Sequence, residues 1–187
     1  MVNRAYFYLV SSLPHLELGQ TPPMSSEEFL EHCRDWMTAA AWNALHGVSL
    51  LPREHPCCNA ERQWHHWETY LRNAVAGERG NALGVDEKQW QRYEADVFPG
   101  MGGEIDECIA AAEPVECEKM LDQLRWRFLD GLIVGHEFDM DRLVVYRLQL
   151  LIAEKWAAFS EEAGRACLED LERALYQQAE ENRQQST

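Results

Sequence analysis

The 187 residues carry 17 basic against 32 acidic side chains, a formal net charge of −15, and such a surface repels phosphate backbones and anionic lipid headgroups. Nucleic acid is therefore excluded as a partner class, and direct membrane insertion with it, because nowhere do about 18 apolar residues run uninterrupted. An apolar fraction of 46% with 10% aromatic residues is enough for one packed core and too rich in large side chains for a disordered polyelectrolyte.

From Met1 to Val10 the chain has Arg4 and an aromatic run but no long apolar stretch ending in small residues, so no export signal is expected and a cytoplasmic protein is. The six cysteines (Cys33, Cys57, Cys58, Cys108, Cys117 and Cys167) read as reduced thiols, since disulfide scaffolds are short, secreted and loop-rich. Cys33, Cys108 and Cys167 lie in apolar-periodic stretches and suit small core positions.

Tyr6 to Val10 is apolar at every position and stops before Pro14, which fits a short buried strand or a helix end equally well. After the loop Gly19 to Pro23, Ser25-Ser26-Glu27-Glu28 spells a capping box. Phe29, Cys33, Trp36, Met37, Ala40 and Ala44 then recur at three- and four-residue spacing, the stripe of a helix packed on a core. Leu51-Pro52 closes that region. A second amphipathic run places Trp64, Trp67, Leu71, Ala74 and Val75 on one face, with Asn59 as its cap. Gly77, Gly80 and Gly84 punctuate the chain beyond that run, a polar helix with Trp90, Tyr93 and Val97 comes next, and Pro99-Gly100-Met101-Gly102-Gly103 reads as a turn. Ile105, Cys108 and Ala112 mark a short helix, and Pro114 suits the first turn of another whose inner face is Met120, Leu121, Leu124, Phe128 and Leu129.

The last third has the clearest pattern. Phe138 and Asp139 can serve as staple and cap for a helix through Leu143, Tyr146, Leu150, Ile152 and Trp156. It is apolar on much of its circumference, so residues 140–158 are expected at the centre of the fold. Ser160-Glu161-Glu162 caps a final helix with Ala163, Cys167, Leu171, Ala174 and Leu175. Strand alternation never exceeds a few residues, and no solenoid period recurs. The expected fold is all-α: a single multi-helix bundle over residues 1–187, from which residues 60–112 could project as an arm, with a fraying tail at 177–187.

Chemistry-bearing patterns are few. His55, Cys57, Cys58, His65 and His66 offer metal ligands within a dozen residues, yet vicinal cysteines do not give the C-x2-C spacing that wraps a tetrahedron. Glu137, Asp139 and Asp141 alternate as a calcium loop begins, without its glycine or distal glutamate, and helix-start acids explain them better. The glycines at 100–103 are not followed by the Lys-Ser or Lys-Thr of a phosphate loop, and no nucleophile elbow is present. No catalytic residues and no cofactor are expected, and the chain does not read as an enzyme. Seven tryptophans on polar-looking helices suggest partner contacts, and Tyr6, Tyr8, Trp64, Trp67 and Trp90 are the candidates.

Three stretches, Tyr6 to Pro14, Pro23 to Phe29, and Phe138 through Leu143 to Trp156, together resemble the domain-of-unknown-function family 2764 of bacterial proteins. That resemblance implies association with V-type (archaeal-type) ATP synthase gene clusters, standing in for or accompanying the helical C-type component of the central stalk. It implies protein subunits of a V-type ATPase as partners and a location peripheral to the inner membrane through that complex. The aromatic start is also similar to the beginning of the C-type stalk component. A length of 187 residues is below what the three-lobed funnel of that component requires, which favours a shortened analogue or accessory factor. The alternatives are a helical metal- or redox-responsive protein using the His/Cys cluster at 55–66, and a small helical assembly chaperone.

Overall fold

Local signals in the first fifty residues break the chain into short helices that a longer element can collect. The computed structural model describes residues 4–85, 91, 98–159 and 173. The apolar start is helical, α1 (Arg4–Ser12). Next, α2 (Ser26–Arg34) opens with the complete capping box: the Ser25 hydroxyl accepts from the Glu28 amide, and the Glu28 carboxylate accepts from the Ser25 amide. The single stripe expected from Phe29 to Ala44 is in fact two helices. A turn at 35–38 intervenes, and Thr38 caps α3 (Ala39–His46) by accepting from the Ala41 amide at 3.3 Å. A side-chain cap offers the backbone an alternative to continued helix, so Trp36 leaves the buried stripe. The Trp42 indole N–H holds the pair together by donating to the Leu30 carbonyl at 2.9 Å.

The long helix α4 (Asn59–Leu83) begins one residue earlier than a cap at Asn59 would allow. Cys58 occupies the N-cap without a side-chain bond, and Asp141, remote in sequence, accepts from the Ala60 amide. Gly77 and Gly80 lie inside α4, and the helix stops only at Gly84, whose φ of 65° is left-handed and comes cheaply only to glycine. Gly102 and Gly103, expected in a turn, open α5 (Gly102–Ile109). Pro114 starts α6 (Pro114–Leu132) as its residue type predicts. The expected projecting arm is not seen in its described parts: α4 packs on α7, α5 and α6, and α5 on α6. Its apolar face, with Trp64, Trp67 and Leu71 all buried, cannot stand alone in water.

Four of these elements, α1, α2, α4 and α6, pack on α7 (Met140–Ala158). Asp139 caps it, accepting from the Arg142 amide at 3.1 Å. Every residue from Leu143 to Leu150 is buried, so this helix has no water-facing side over two turns. The two polar members of that run are satisfied. Arg147 donates to the Val48, Ser26 and His46 carbonyls at 3.2, 3.4 and 3.3 Å, and Gln149 donates to Asp130 at 2.7 Å. Tyr146 packs on Phe29 and donates to the Pro14 carbonyl at 3.0 Å. The fold is all-α, with seven helices and no strand among the described residues. The expected polar helix with Trp90, Tyr93 and Val97, the final helix with Ala163, Cys167, Leu171, Ala174 and Leu175, and the tail at 177–187 lie outside the described residues.

Trp67 is wholly enclosed and stacks on Phe128 of α6 with ring centroids 4.6 Å apart. Trp67→Ala should lower unfolding free energy by about 3–5 kcal/mol in urea denaturation; a loss below about 1 kcal/mol, the size expected of a surface change, would contradict this packing.

Candidate interaction surfaces

The loop before α4 is built around one buried carboxylate. Glu61 accepts from Arg53 Nε at 2.7 Å, from Arg53 Nη2 at 2.8 Å and from the Cys57 amide. Burial pushes its acidity down, but the Arg53 and Cys57 hydrogen bonds outweigh burial and hold the carboxyl below its usual range. The five His/Cys candidates are arranged around this anchor without converging. His55 and His66 are exposed, His65 is buried, and Cys57 and Cys58 are half-buried. No three of them bring ligand atoms within 4.8 Å of one another. Cys58 is held as a thiol by its hydrogen bond with Cys57 and by burial, a poor state for a metal ligand. His65 lies 3.6 Å from Glu61 with neither ring nitrogen hydrogen-bonded among the described residues, and burial lowers its basicity.

Among the described residues, the group whose ligand atoms do converge is His136, Asp139 and Asp141, at the start of α7. His136 Nδ1 meets Asp139 Oδ2 at 2.6 Å and Asp141 Oδ2 at 3.6 Å. Both carboxylates already have work at helix starts, Asp139 capping α7 and Asp141 capping α4. The two carboxylates beside the ring favour its protonated form. The hydrogen bond to Asp139 raises the His136 basicity above the usual value of 6.5.

Between α4, α6 and α7 lies a buried ionic network. Glu68 accepts from Arg125 Nε at 2.9 Å and from Arg72 Nε at 2.6 Å. Asp122 accepts from Arg125 at 2.7 Å and from the Trp156 indole at 2.7 Å, and also pairs with Lys155. Glu118 at the rim joins Arg125 at 3.3 Å and Lys155 at 2.8 Å. All four oxygens of Glu68 and Asp122 are engaged, so the network positions helices and leaves no carboxylate oxygen idle for proton transfer. Above it, a groove of about 780 Å³ runs between α4 and α6.

The other surface feature is aromatic. Phe7, Tyr8 and Trp36 are 44%, 61% and 45% exposed, and they form a continuous ridge with Phe138. Ring centroids are 4.6 Å apart for Phe7 and Phe138, 5.7 Å for Phe7 and Tyr8, and 6.3 Å for Tyr8 and Trp36. Of the sequence candidates for partner contact, Tyr8 sits on this ridge and Tyr6 is half-buried beside the core. Trp64 and Trp67 are corrected: both are fully buried, because the stripe they share with Leu71 is the one α4 turns inward. Trp90 lies outside the described residues. Sequence reading misses Phe7, Trp36 and Phe138, and the Thr38 cap is the signal that takes Trp36 out of the helical stripe.

Two measurements check these electrostatics. Glu68→Gln should cost about 1–3 kcal/mol in urea denaturation, because it removes one of the two buried carboxylates that face Arg125, whereas Glu118→Gln at the open rim should cost less than about 1 kcal/mol; equal effects would contradict the network. His136 should titrate by NMR above 6.5, and Asp139→Asn, which keeps a capping oxygen, should bring it down. The sign follows from linkage: the folded state holds this proton more tightly, so the pair stabilises the fold fully below the unfolded imidazole value, and the gain fades as pH rises through the raised folded value. A His136 midpoint indifferent to Asp139→Asn would refute the pair.

No curated protein and no solved structure matches the chain. Residues 103–177 match a family described as a protein of unknown function, DUF2764. All of α6 and α7 lies within that span, and so does the stretch from Phe138 to Trp156; the aromatic start and the Pro23 to Phe29 helix start precede it. Over α6 and α7 the chain is similar to this family of unknown function.

Proposed function

We propose that this protein is a non-enzymatic helical adaptor or accessory subunit of a V-type ATPase or ATP synthase, in a role like that of the C-type component of the central stalk. The observation that carries the adaptor part is the aromatic ridge of Phe7, Tyr8, Trp36 and Phe138. Large rings held in mutual contact lose little conformational entropy on docking and bury much apolar area, which is why aromatic side chains dominate binding hot spots. The ridge draws on α1, on the turn between α2 and α3, and on the segment before α7, so the whole fold backs it. The ATPase part rests on the resemblance of the three sequence stretches to family 2764 and on its implied gene association. A net charge of −15 favours partner surfaces carrying basic residues around the apolar contact. No helix of the described residues is long and apolar enough to cross a membrane, and attachment to a membrane complex would then run through protein subunits.

The test is co-purification of tagged protein from its native cells in mild detergent. V-type ATPase subunits should accompany the wild-type chain, and Tyr8→Ser with Trp36→Ser should reduce their recovery at least tenfold while leaving the melting temperature of the isolated protein unchanged. Recovery without any ATPase subunit would remove the assignment, and undiminished recovery with the double variant would remove the ridge from it.

A further inference from the structure

The groove between α4 and α6 is lined by three arginines against one carboxylate, Glu118, in a chain that is otherwise acidic. On α4 it is lined by Arg72, Val75, Ala76, Arg79, Gly80 and Leu83, positions that repeat at three- and four-residue spacing and so form one helix face. From Arg72 to Leu83 that face is about 16 Å long at 1.5 Å per residue, three turns, which is a trough for a segment of chain and longer than a compact metabolite needs. Glu118, Leu121 and Arg125 supply the α6 wall, and Glu118 is taken up by Arg125 and Lys155.

Its chemistry is divided. The floor is apolar along Val75, Ala76 and Leu121, and at the far end Leu83 is 77% exposed. Buried Arg125 and half-exposed Arg72 are held by Glu68, but Arg79 is exposed and no carboxylate pairs with it among the described residues. In a molecule with a net charge of −15, such an arginine above an apolar trough does nothing for solubility that the acids do not already do. It does offer a bidentate partner for a carboxylate delivered by something lying in the trough.

We propose that this groove receives a helical segment of a partner protein, with apolar side chains on one face and carboxylates along its edge, the carboxylates pairing with Arg79 and the outer face of Arg72. Such an acidic helix is repelled by the rest of this chain, so the groove sets both its position and its direction. The inference goes beyond the ATPase reading and does not need it: any partner of this chemistry satisfies it, and the aromatic ridge is a separate surface.

Benzoylphenylalanine placed at Leu83 in the full-length protein, with photolysis in native cells and sequencing of the crosslinked peptides, tests this directly. The expected product is a peptide of another protein with apolar residues at helical spacing flanked by Asp or Glu. Its yield should fall at least fivefold in Arg79→Glu and be kept in Arg79→Lys, with the melting temperature unchanged in both. Crosslinks confined to the chain's own residues 160–187 or to a second copy, crosslinks to a basic segment, no crosslink at all, or a yield indifferent to Arg79→Glu would each overturn the proposal. Ridge variants that abolish ATPase co-purification while leaving this crosslink intact would separate failure of one reading from failure of the other.

Discussion

The enclosure of α7 governs this fold. Eight successive buried residues, Leu143 to Leu150, leave the helix no face to present to water, and a helix apolar all round is stable only when other elements cover every side. The short helices α1 and α2, the long α4 and the proline-started α6 do so. None of α1, α2 and α3 exceeds nine residues, too short to persist alone, so their existence depends on docking within the bundle that α7 organises.

Charge inside the molecule obeys the same constraint. Arg147 enters the enclosed run without a carboxylate partner and instead satisfies three carbonyls from the end of α3 and the start of α2, converting a buried cation into a clamp on two neighbours. Burial lowers its basicity, as desolvation must, while Arg125, flanked by Glu68 and Asp122, is shifted upward despite burial. The two arginines show the two ways such a group is tolerated: polar backbone around it, or fixed anions against it. With these interior charges committed in this way, an aromatic ridge at one place and an arginine-lined trough at another are left facing outward. That distribution is what supports the proposed adaptor role.

Much of the scaffold is legible from local signals. The capping box at Ser25, proline at the first turn of α6, and the bounds of α7 at 140–158 can be read because each depends on neighbours within four residues. Reading fails where a long-range partner decides. The start of α4 is fixed by Asp141, 81 residues away, so Asn59 resembles a cap and is not one. Glycines 77 and 80 suggest a break, but tertiary packing of α4 carries the helix through them, and only Gly84 takes the left-handed turn. The tryptophans mislead for a related reason: residue type alone does not separate a hot spot from a core ring, and Trp64 and Trp67 share their stripe with Leu71. The surfaces are less legible still. The ridge joins residues 7, 8, 36 and 138, and the groove joins Arg72 and Arg79 to Arg125, meetings that only the folded chain arranges.

Hydroxyl-radical footprinting of the protein, isolated and then within the assembly captured from its native cells, measures the central claim at the side chains that carry it. Tyr8 and Trp36 should oxidise readily in the isolated chain and be protected in the assembly, while Trp64 and Trp67, enclosed in both, stay slow throughout. Equal oxidation of Tyr8 and Trp36 in the two states would contradict docking through the ridge.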